Sequence, residues 1–518
     1  MKRIGIDVGG TNTDAVLIDS STVIASVKSP TTADVMSGVV NSIEYLVKSH
    51  PEVVKGLDAV MIGTTHFTNA VVERARLDRV AAIRIALPAS ASLPPMVDWP
   101  ADLREAVNPM RFMVEGGHEY DGRPLVPLDR NAIREAAMQI RDAGITAIGI
   151  TALFSPLTAE CELEAAEIVT SVIQDARITL SHRLGRIGLL ERENVTLLNA
   201  SLQSLGARTV DAFREALASV GIKAPFYITQ NDGTVALAEV AATNPVYSFA
   251  SGPTNSMRGA AFLSGRDNGL VIDVGGTTSD IGFLVNGFPR EANNIVEVGG
   301  VRTLFRMPDL YPMALGGGTI IDPVTGKIGP RSVGFRITQE ALVFGGNTLT
   351  TTDIAVAAGL VEIGDPDRVR HLDSDMVARH LAGIHAMIED GIDRMKTSAE
   401  DATVIAVGGG AFLVPDRLEG VSEVIRVPHA GVANALGAAM AQVSGEVDQV
   451  FSGLSREAAL AEAEKIAASR AAEAGADPAT INVVDTEDIP IAYLPGDARR
   501  VRVRVVGAIG SEPSRRVK

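Results

Sequence analysis

An octapeptide with an acid at each end, Asp7-Val8-Gly9-Gly10-Thr11-Asn12-Thr13-Asp14, returns about half the chain later as Asp273-Val274-Gly275-Gly276-Thr277-Thr278-Ser279-Asp280. In both copies the leading aspartate ends an apolar run, a costly place for a carboxylate unless a cation or hydrogen-bond donors offset it. A hydrated magnesium ion suits such an isolated acid, because Mg²⁺ is held through one or two carboxylates plus substrate phosphates and keeps several waters. Gly9-Gly10 and Gly275-Gly276 leave backbone N–H groups bare at the turn, an anion nest beside the hydroxyls of Thr11, Thr13, Thr277 and Thr278. Two such turns facing each other would grip a polyphosphate from both sides. Gly-Gly is also a common hairpin dipeptide, so one copy alone reads equally well as a plain turn; two copies with matching flanks favour a ligand.

A third glycine cluster, Gly408-Gly409-Gly410, follows the apolar run Val404 to Val407 and would let a flat adenine lie against backbone. Gly431 to Ala439 reads as a small-residue helix made for close packing. Competing signals are missing: there is no G-x-G-x-x-G after a first strand, no G-x-x-x-x-G-K-[ST], no G-x-S-x-G and no H-E-x-x-H. His66, His118, His182 and His429 read as polar packing or surface residues, and Cys161, set among Glu160, Glu162 and Glu164, has neighbours that disfavour a thiolate.

The elements that must position these residues alternate between helix and strand. Arg3 to Asp19 reads as strand, tight turn, strand. Then come a helix near Ser37 to Val47, a strand at Ala59 to Gly63, a helix from about Thr68 to Arg76 and a strand at Val80 to Ala86. Residues 88 to 130, rich in Pro and Gly, read as an irregular excursion. A helix at Asn131 to Ala143, a buried strand at Ala147 to Leu153 and a helix at Thr158 to Ile173 follow, which makes the class α/β. Past Phe451 the pattern is a helix over Ser455 to Ala474, short strands at Ile481 to Val484 and Ile489 to Tyr493, and the alternation Arg500 to Val505, whose arginine face reads as solvated surface.

The 518 residues carry 63 acids against 47 basic side chains, a formal charge of −16, so a nucleic acid would meet a repelling field and any phosphate site must be built locally. Glycine stands out at 50 residues. A single cysteine excludes an internal disulfide and a multi-cysteine zinc site. Asp7 interrupts the apolar run that a signal peptide requires, and no segment has the length and apolarity of a membrane span, so the expectation is a cytoplasmic protein with no membrane partner.

In order, the two turns, the glycine strand and the small-residue helix resemble the ATPase superfamily of actin, hexokinase-type sugar kinases and heat-shock chaperones. That resemblance implies two ribonuclease-H-like domains around a nucleotide cleft. Gly63-Thr64-Thr65-His66-Phe67-Thr68-Asn69-Ala70-Val71-Val72-Glu73-Arg74 narrows it, since this segment resembles the G-T-T-x-x-T-N-A-x-x-E-R stretch of the hydantoinase A / 5-oxoprolinase family. Gln230-Asn231-Asp232-Gly233, Ser251-Gly252-Pro253, Gly316 to Ile320 and Gly345 to Asp353 continue the likeness in the family's order over about residues 1 to 450. Two positions depart from it: Thr254-Asn255 stand where relatives carry a small residue and Gly, and Thr319 stands where a serine is common.

The resemblance implies an ATP-dependent subunit that phosphorylates a cyclic amide such as a hydantoin, 5-oxoproline or another lactam, acts with a hydantoinase B-type subunit, and uses ATP and Mg²⁺; a homo-oligomer is compatible with it. On that reading Asp7 and Asp273 orient Mg²⁺ through its waters. Gly9, Gly10, Thr11, Thr13, Gly275, Gly276 and Thr277 hold phosphates, and Gly408, Gly409 and Gly410 border adenosine. Thr64, Thr65, Thr68 and Asn69 orient the acceptor amide, with Asn231, Asp232 and Ser251 as weaker candidates for the same region. Thr65 or Thr68 also reads as a helix N-cap. The expected domains are 1–200 with the first turn, 201–450 with the second turn and the adenosine motif, and a small α/β appendage over 451–518. A sugar-type small-molecule kinase and an ATP-gated regulatory or chaperone-like module stay open as alternatives.

Overall fold

The computed structural model describes residues 1–518 except 10–11, 31–34, 55, 186, 293–294, 323, 493–495 and 511–518. Both copies of the repeat form hairpins inside a sheet, as the apolar runs on either side of the glycines require. Strand Lys2–Val8 runs antiparallel to Asn12–Asp19, with Asp7 opposite Asp14, and parallel to Ala59–Thr64, with Asp7 beside Gly63. Strand Gly269–Val274 runs antiparallel to Ser279–Val285, with Asp273 opposite Asp280, and parallel to Ala402–Val407. The duplication in sequence is therefore a duplication of register.

The first hairpin lies in a nine-stranded mixed sheet that runs from Asn482–Pro490 at one edge to Thr22–Pro30 at the other. The second lies in a six-stranded sheet, on which Leu310–Met313 pairs with Ser279–Val285. A third sheet is wholly parallel, in the order Met110–Glu115, Val80–Leu87, Ala147–Ala152, Arg177–Leu180. Stretch 88–130, expected as irregular, thus supplies a strand to this sheet and the helix Ala101–Val107. The helix expected over Thr68 to Arg76 is His66–Val72, ended early where Arg74 adopts a φ of 55°.

The carboxyl-terminal segment, expected as a small α/β unit, contributes strands to the first sheet. Strands Val443–Phe451, Arg499–Gly507 and Asn482–Pro490 extend the first sheet. The two short strands expected near Ile481 and Ile489 are one strand, because a register shift between Val483 and Asp485 absorbs the irregularity without a break; Tyr493 lies outside the described residues. Arg500, Arg502 and Arg504 are ion-paired, to Asp448, Glu291 and again Glu291, because their strand is flanked on both sides and lies against the loop that carries Glu291. Helix Arg456–Glu473 buries Ala459, Ala463, Ala467 and Ala471 at four-residue spacing. Among the described residues no helix is long and apolar enough to cross a membrane.

Two helices pack between the hairpins. Ala433–Met440 meets both Ser251–Ser264 and strand Lys2–Val8 at backbone distance: a Cβ on Gly437 would overlap the Asn255 carbonyl, one on Gly259 the Ala433 carbonyl, and one on Gly5 the Ala435 carbonyl. The small-residue helix read from sequence is this contact. Since a methyl here meets backbone and not the tip of a flexible side chain, Gly437→Ala is expected to cost at least about 1–3 kcal/mol in urea unfolding, whereas Gly431→Ala, with open space around the new methyl, should change the midpoint little.

Candidate functional site

Asp7 is 5% exposed and both of its oxygens are held by side-chain amides. Asn255 Nδ2 donates to Oδ1 at 3.0 Å, and Asn434 Nδ2 donates to Oδ2 at 3.0 Å while also reaching Asp14 Oδ2 at 3.0 Å. Each donor comes from one of the two wedged helices. Lys28 Nζ lies 2.7 Å from Asp14 Oδ1. Gly63 makes room for the Asp7 carboxyl, which a Cβ there would overlap. Gly408, at φ +90°, makes the same room for Asp273, so the end of the strand parallel to each aspartate carries a glycine for one steric reason.

The four hairpin acids all have carboxyl pKa values above the ordinary value. Burial pushes Asp7 up to about 6, with Asp14 and Asp273 adding repulsion against the relief from Asn255 and Asn434. Burial raises Asp14 against Lys28 and Asn434, and raises Asp273 against Ser256 and Lys28. Burial and then Asp273 push Asp280 up to about 7. That Asp273 acts on Asp7, and Asp14 on Asp273, sets the two hairpins within electrostatic reach of each other. Among the described residues Lys28 alone forms an ion pair with any of the four.

An anionic pocket so short of positive charge fits a divalent cation. Among the described residues no three acidic, histidine or cysteine groups converge to ligate a metal directly.

The turns differ in part from the expectation. Gly9 N–H donates to the Asn12 carbonyl at 3.0 Å and Gly275 N–H to the Thr278 carbonyl at 2.9 Å, so these two amides close the hairpins. At the second tip the amides of Gly276 and Thr277 have no acceptor among the described residues. Gly10 and Thr11 lie outside the described residues. Thr13 sits opposite Val8, one residue out of phase with Asp7 and Asp14, and strand alternation puts it on the other sheet face, where it is fully buried.

Sequence reading missed what holds the second tip. Gly317 and Gly318 N–H groups donate to the Gly275 and Gly276 carbonyls at 3.0 and 2.7 Å. The Gly317 carbonyl accepts from the hydroxyls of Thr351, at 2.9 Å, and Thr352, at 2.7 Å, at the start of a helix with a Thr350–Asp353 capping box. Thr319 Oγ1 accepts from Gly316 N–H at 2.8 Å, so the departure from serine keeps the hydroxyl. Gly410 N–H donates to the Val274 carbonyl at 2.7 Å, and the exposed Gly409 has open space where a side chain would stand.

The G-T-T segment reaches the site through register, Val8 pairing Thr64. Thr64 is buried, its hydroxyl 2.5 Å from His66 Nδ1 and its carbonyl accepting from Ser251 Oγ at 3.2 Å. Thr65 stands at the N-cap position with no side-chain cap bond, and the exposed Asn69 reaches its hydroxyl at 3.3 Å. Thr68 donates to the Phe249 carbonyl at 2.6 Å. Asn231 and Asp232 hold structure: Asn231 ties Val246, Ala250 and Arg306 backbone together, and Asp232 pairs Arg306 at 3.3 Å and accepts from Thr234.

A cavity of about 770 Å³ opens beside Asp280, with Ala250, Ile295, Met307 and Leu310 on its apolar wall and Arg290, Glu291 and Asp309 on its rim. The carboxyl of Asp280 has no hydrogen-bond or ion-pair partner among the described residues, whereas its counterpart in the first hairpin, Asp14, has Lys28 and Asn434.

Because Asp280 keeps its proton in the folded state to about pH 7 and an unfolded aspartate releases its own near 3.8, raising the pH through that interval destabilises the nucleotide-free fold. Asp280→Asn is therefore expected to gain on the wild type as pH rises from about 4 to about 7, by about 2–4 kcal/mol at the plateau, read as the difference in urea unfolding free energy at each pH.

Family models described as the hydantoinase/oxoprolinase N-terminal region and as hydantoinase/oxoprolinase match residues 3–173 and 192–407. The caprolactamase subunit alpha of Pseudomonas jessenii is 25% identical over 387 residues, covering 70% of this chain and 55% of that protein. The acetophenone carboxylase gamma subunit of Aromatoleum aromaticum is 26% identical over 395 residues, covering 70% and 53%. The chain thus spans about half the length of the curated relatives it matches. In structure, the ATP-dependent caprolactamase from Pseudomonas jessenii superposes with a TM-score of 0.76 at 19% identity, covering 98% of this chain and 87% of that one, which shows a shared fold. With the repeated aspartate hairpins, the G-T-T segment and both halves matched in order, the chain belongs to the hydantoinase/oxoprolinase family.

Proposed function

We propose that this chain is the ATP-using subunit of an enzyme that activates a small cyclic amide for ring opening. The observation that carries the reading is the pair of register-matched hairpins whose leading aspartates, the buried Asp7 and the half-buried Asp273, lie within electrostatic reach of each other and short of positive charge. Supporting it are the family and the names of its relatives, a caprolactamase subunit and a carboxylase subunit.

In this reading one lobe is built on the nine-stranded sheet and the other on the six-stranded sheet, each a ribonuclease-H-like unit, with the nucleotide between them. This replaces a division at residues 200 and 450, since strands from both ends of the chain share the first sheet. The amides of Gly276 and Thr277 take the phosphates, and the role read from sequence for the first turn stays with Gly9, Gly10 and Thr11, the last two outside the described residues. The open backbone at Gly409 borders the adenosine. Mg²⁺, when bound, offsets the carboxylates and the phosphate charge. Asp7 is aimed by Asn255 and Asn434, and Asp273 is given room by Gly408. Thr65 and Asn69, hydrogen-bonded to each other next to the first hairpin, present polar groups on that side of the cleft.

An unstrained amide is a poor electrophile, and phosphorylating its oxygen turns that oxygen into a leaving group before water attacks. A second subunit of the B type supplies the hydrolytic half, and the single cysteine suits a reducing, cytoplasmic setting.

Asp273→Ala is expected to weaken Mg-ATP binding by at least about a hundredfold in titration calorimetry while the fold, read by circular dichroism, is kept; unchanged affinity rejects the cleft. A screen of hydantoins and lactams for stimulated ADP release, with and without the second subunit, then reads the reaction itself.

A further inference from the structure

We propose that the cavity beside Asp280 is the acceptor pocket of this site and that it selects an uncharged cyclic amide bearing an N–H over one bearing a carboxylate. The inference rests on the phosphorylating reading above and adds to it the class of ring.

Three observations lead there. The first is position: Asp280 stands directly across the hairpin from Asp273, and Pro312 of the cavity wall pairs with Asp280 in the next strand. The facing wall begins at Ala250, one residue before Ser251, whose hydroxyl is tied to the Thr64 carbonyl. The pocket therefore lies beside the strand pair that carries Asp273, and its Ala250 wall is one residue from the helix that touches the G-T-T segment.

The second is chemistry: Ile295, Met307 and Leu310 line the wall beside Asp280, so the cavity offers a ring both an apolar edge and a polar contact. The third is charge. Of the ionic side chains around the cavity, Arg290 spends Nε and Nη2 on Asp309 Oδ2, at 3.0 and 2.7 Å. Glu291 is bound by Arg502 at 2.8 Å and Arg504 at 3.1 Å. That leaves Asp280 as the one acidic group of the wall with neither hydrogen bond nor counter-ion among the described residues.

Once ionised, above about pH 7, this lone carboxylate is an acceptor only. It takes the N–H of a ring amide and repels an anionic substituent, and no arginine of the wall is spare to compensate one. In the transfer the amide oxygen attacks the γ-phosphorus of ATP and the bond from that phosphorus to the bridging oxygen breaks. ADP leaves, and the N–H proton passes to the Asp280 carboxylate, so the ring departs as its O-phosphorylated imidate. Asp14 has a counter-ion in Lys28 and a donor in Asn434 where Asp280 has neither, which is why the matched acids of the two hairpins differ in role.

The test is ligand-observed saturation-transfer NMR on the full chain, without nucleotide and at about pH 8.5 so that Asp280 is ionised, using 2-pyrrolidone, its N-methyl derivative and 5-oxoproline, which is the same ring with an added carboxylate. The wild type is expected to bind 2-pyrrolidone at least about tenfold tighter than 5-oxoproline and tighter than the N-methyl ring. Asp280→Asn should weaken 2-pyrrolidone and narrow the gap to 5-oxoproline, and Ile295→Trp, which fills the cavity from an exposed position, should weaken all three. Equal binding of 5-oxoproline and 2-pyrrolidone by the wild type, or binding unmoved by both variants, overturns the proposal. Calorimetric titration of Mg-ATP on the same preparations keeps the two readings apart: a wild type that binds the neutral ring but not the nucleotide fails the functional reading while retaining the pocket, and one that binds the nucleotide but shows no ring preference fails the pocket alone.

Discussion

A carboxylate at the buried end of a central strand is the constraint around which this chain is arranged. Asp7 and Asp273 are out of bulk water, where an ion is poorly tolerated unless the protein supplies compensation. The compensation takes two forms. Space comes from a glycine at the end of the strand parallel to each acid, Gly63 in one sheet and Gly408 in the other. Polarity comes from amides on helices that themselves need glycines to come close enough, Asn255 and Asn434 at Asp7. Remove either and the acid is driven to its neutral form, which attracts no cation.

The wedged helices make the two hairpins one device. Helix Ser251–Ser264 presents Asn255 to the first aspartate and Ser256 to the second, and it meets helix Ala433–Met440 with carbonyls against glycines. Farther out, Arg306 pairs with Asp232 and Glu446, and Arg502 and Arg504 with Glu291, so the loops beside the second sheet are held to the strands of the first by buried or half-buried charge pairs. Such pairs add little net stability but fix geometry, since breaking one strands a charge.

Much of this was legible in the sequence. The repeat, the α/β alternation and the small-residue helix could be read because each is written in local spacing: period two, period 3.6, or a run of glycines. Asn255 and Asn434 could not be, since a donor for a buried acid can come from any element that reaches it, although Asn255 had stood out as a departure from the family's usual glycine. Nor could the face on which Thr13 lands, which depends on where the strand begins relative to the turn. The arginines after residue 499 looked solvated because alternation marks one face without telling what lies against it; the strand Val443–Phe451 and the loop at Glu291 do. Gly316 to Gly318 announced a turn but not that its amides would buttress another turn about 40 residues away in the chain.

The order of strands in the first sheet bears on how the molecule comes into being. Lys2–Val8 and Ala59–Thr64 leave the ribosome long before Val443–Phe451 and Arg499–Gly507, the strands that extend their sheet. Contacts of such long sequence separation form slowly. Until they form, the growing chain carries an apolar strand edge at Val235–Leu237 with no neighbour on its open side, the kind of edge that invites pairing with other chains. The first hairpin can therefore be folded in outline long before its sheet is closed, and the interval between those two events is when this protein has most need of a chaperone or of its own second lobe as cover.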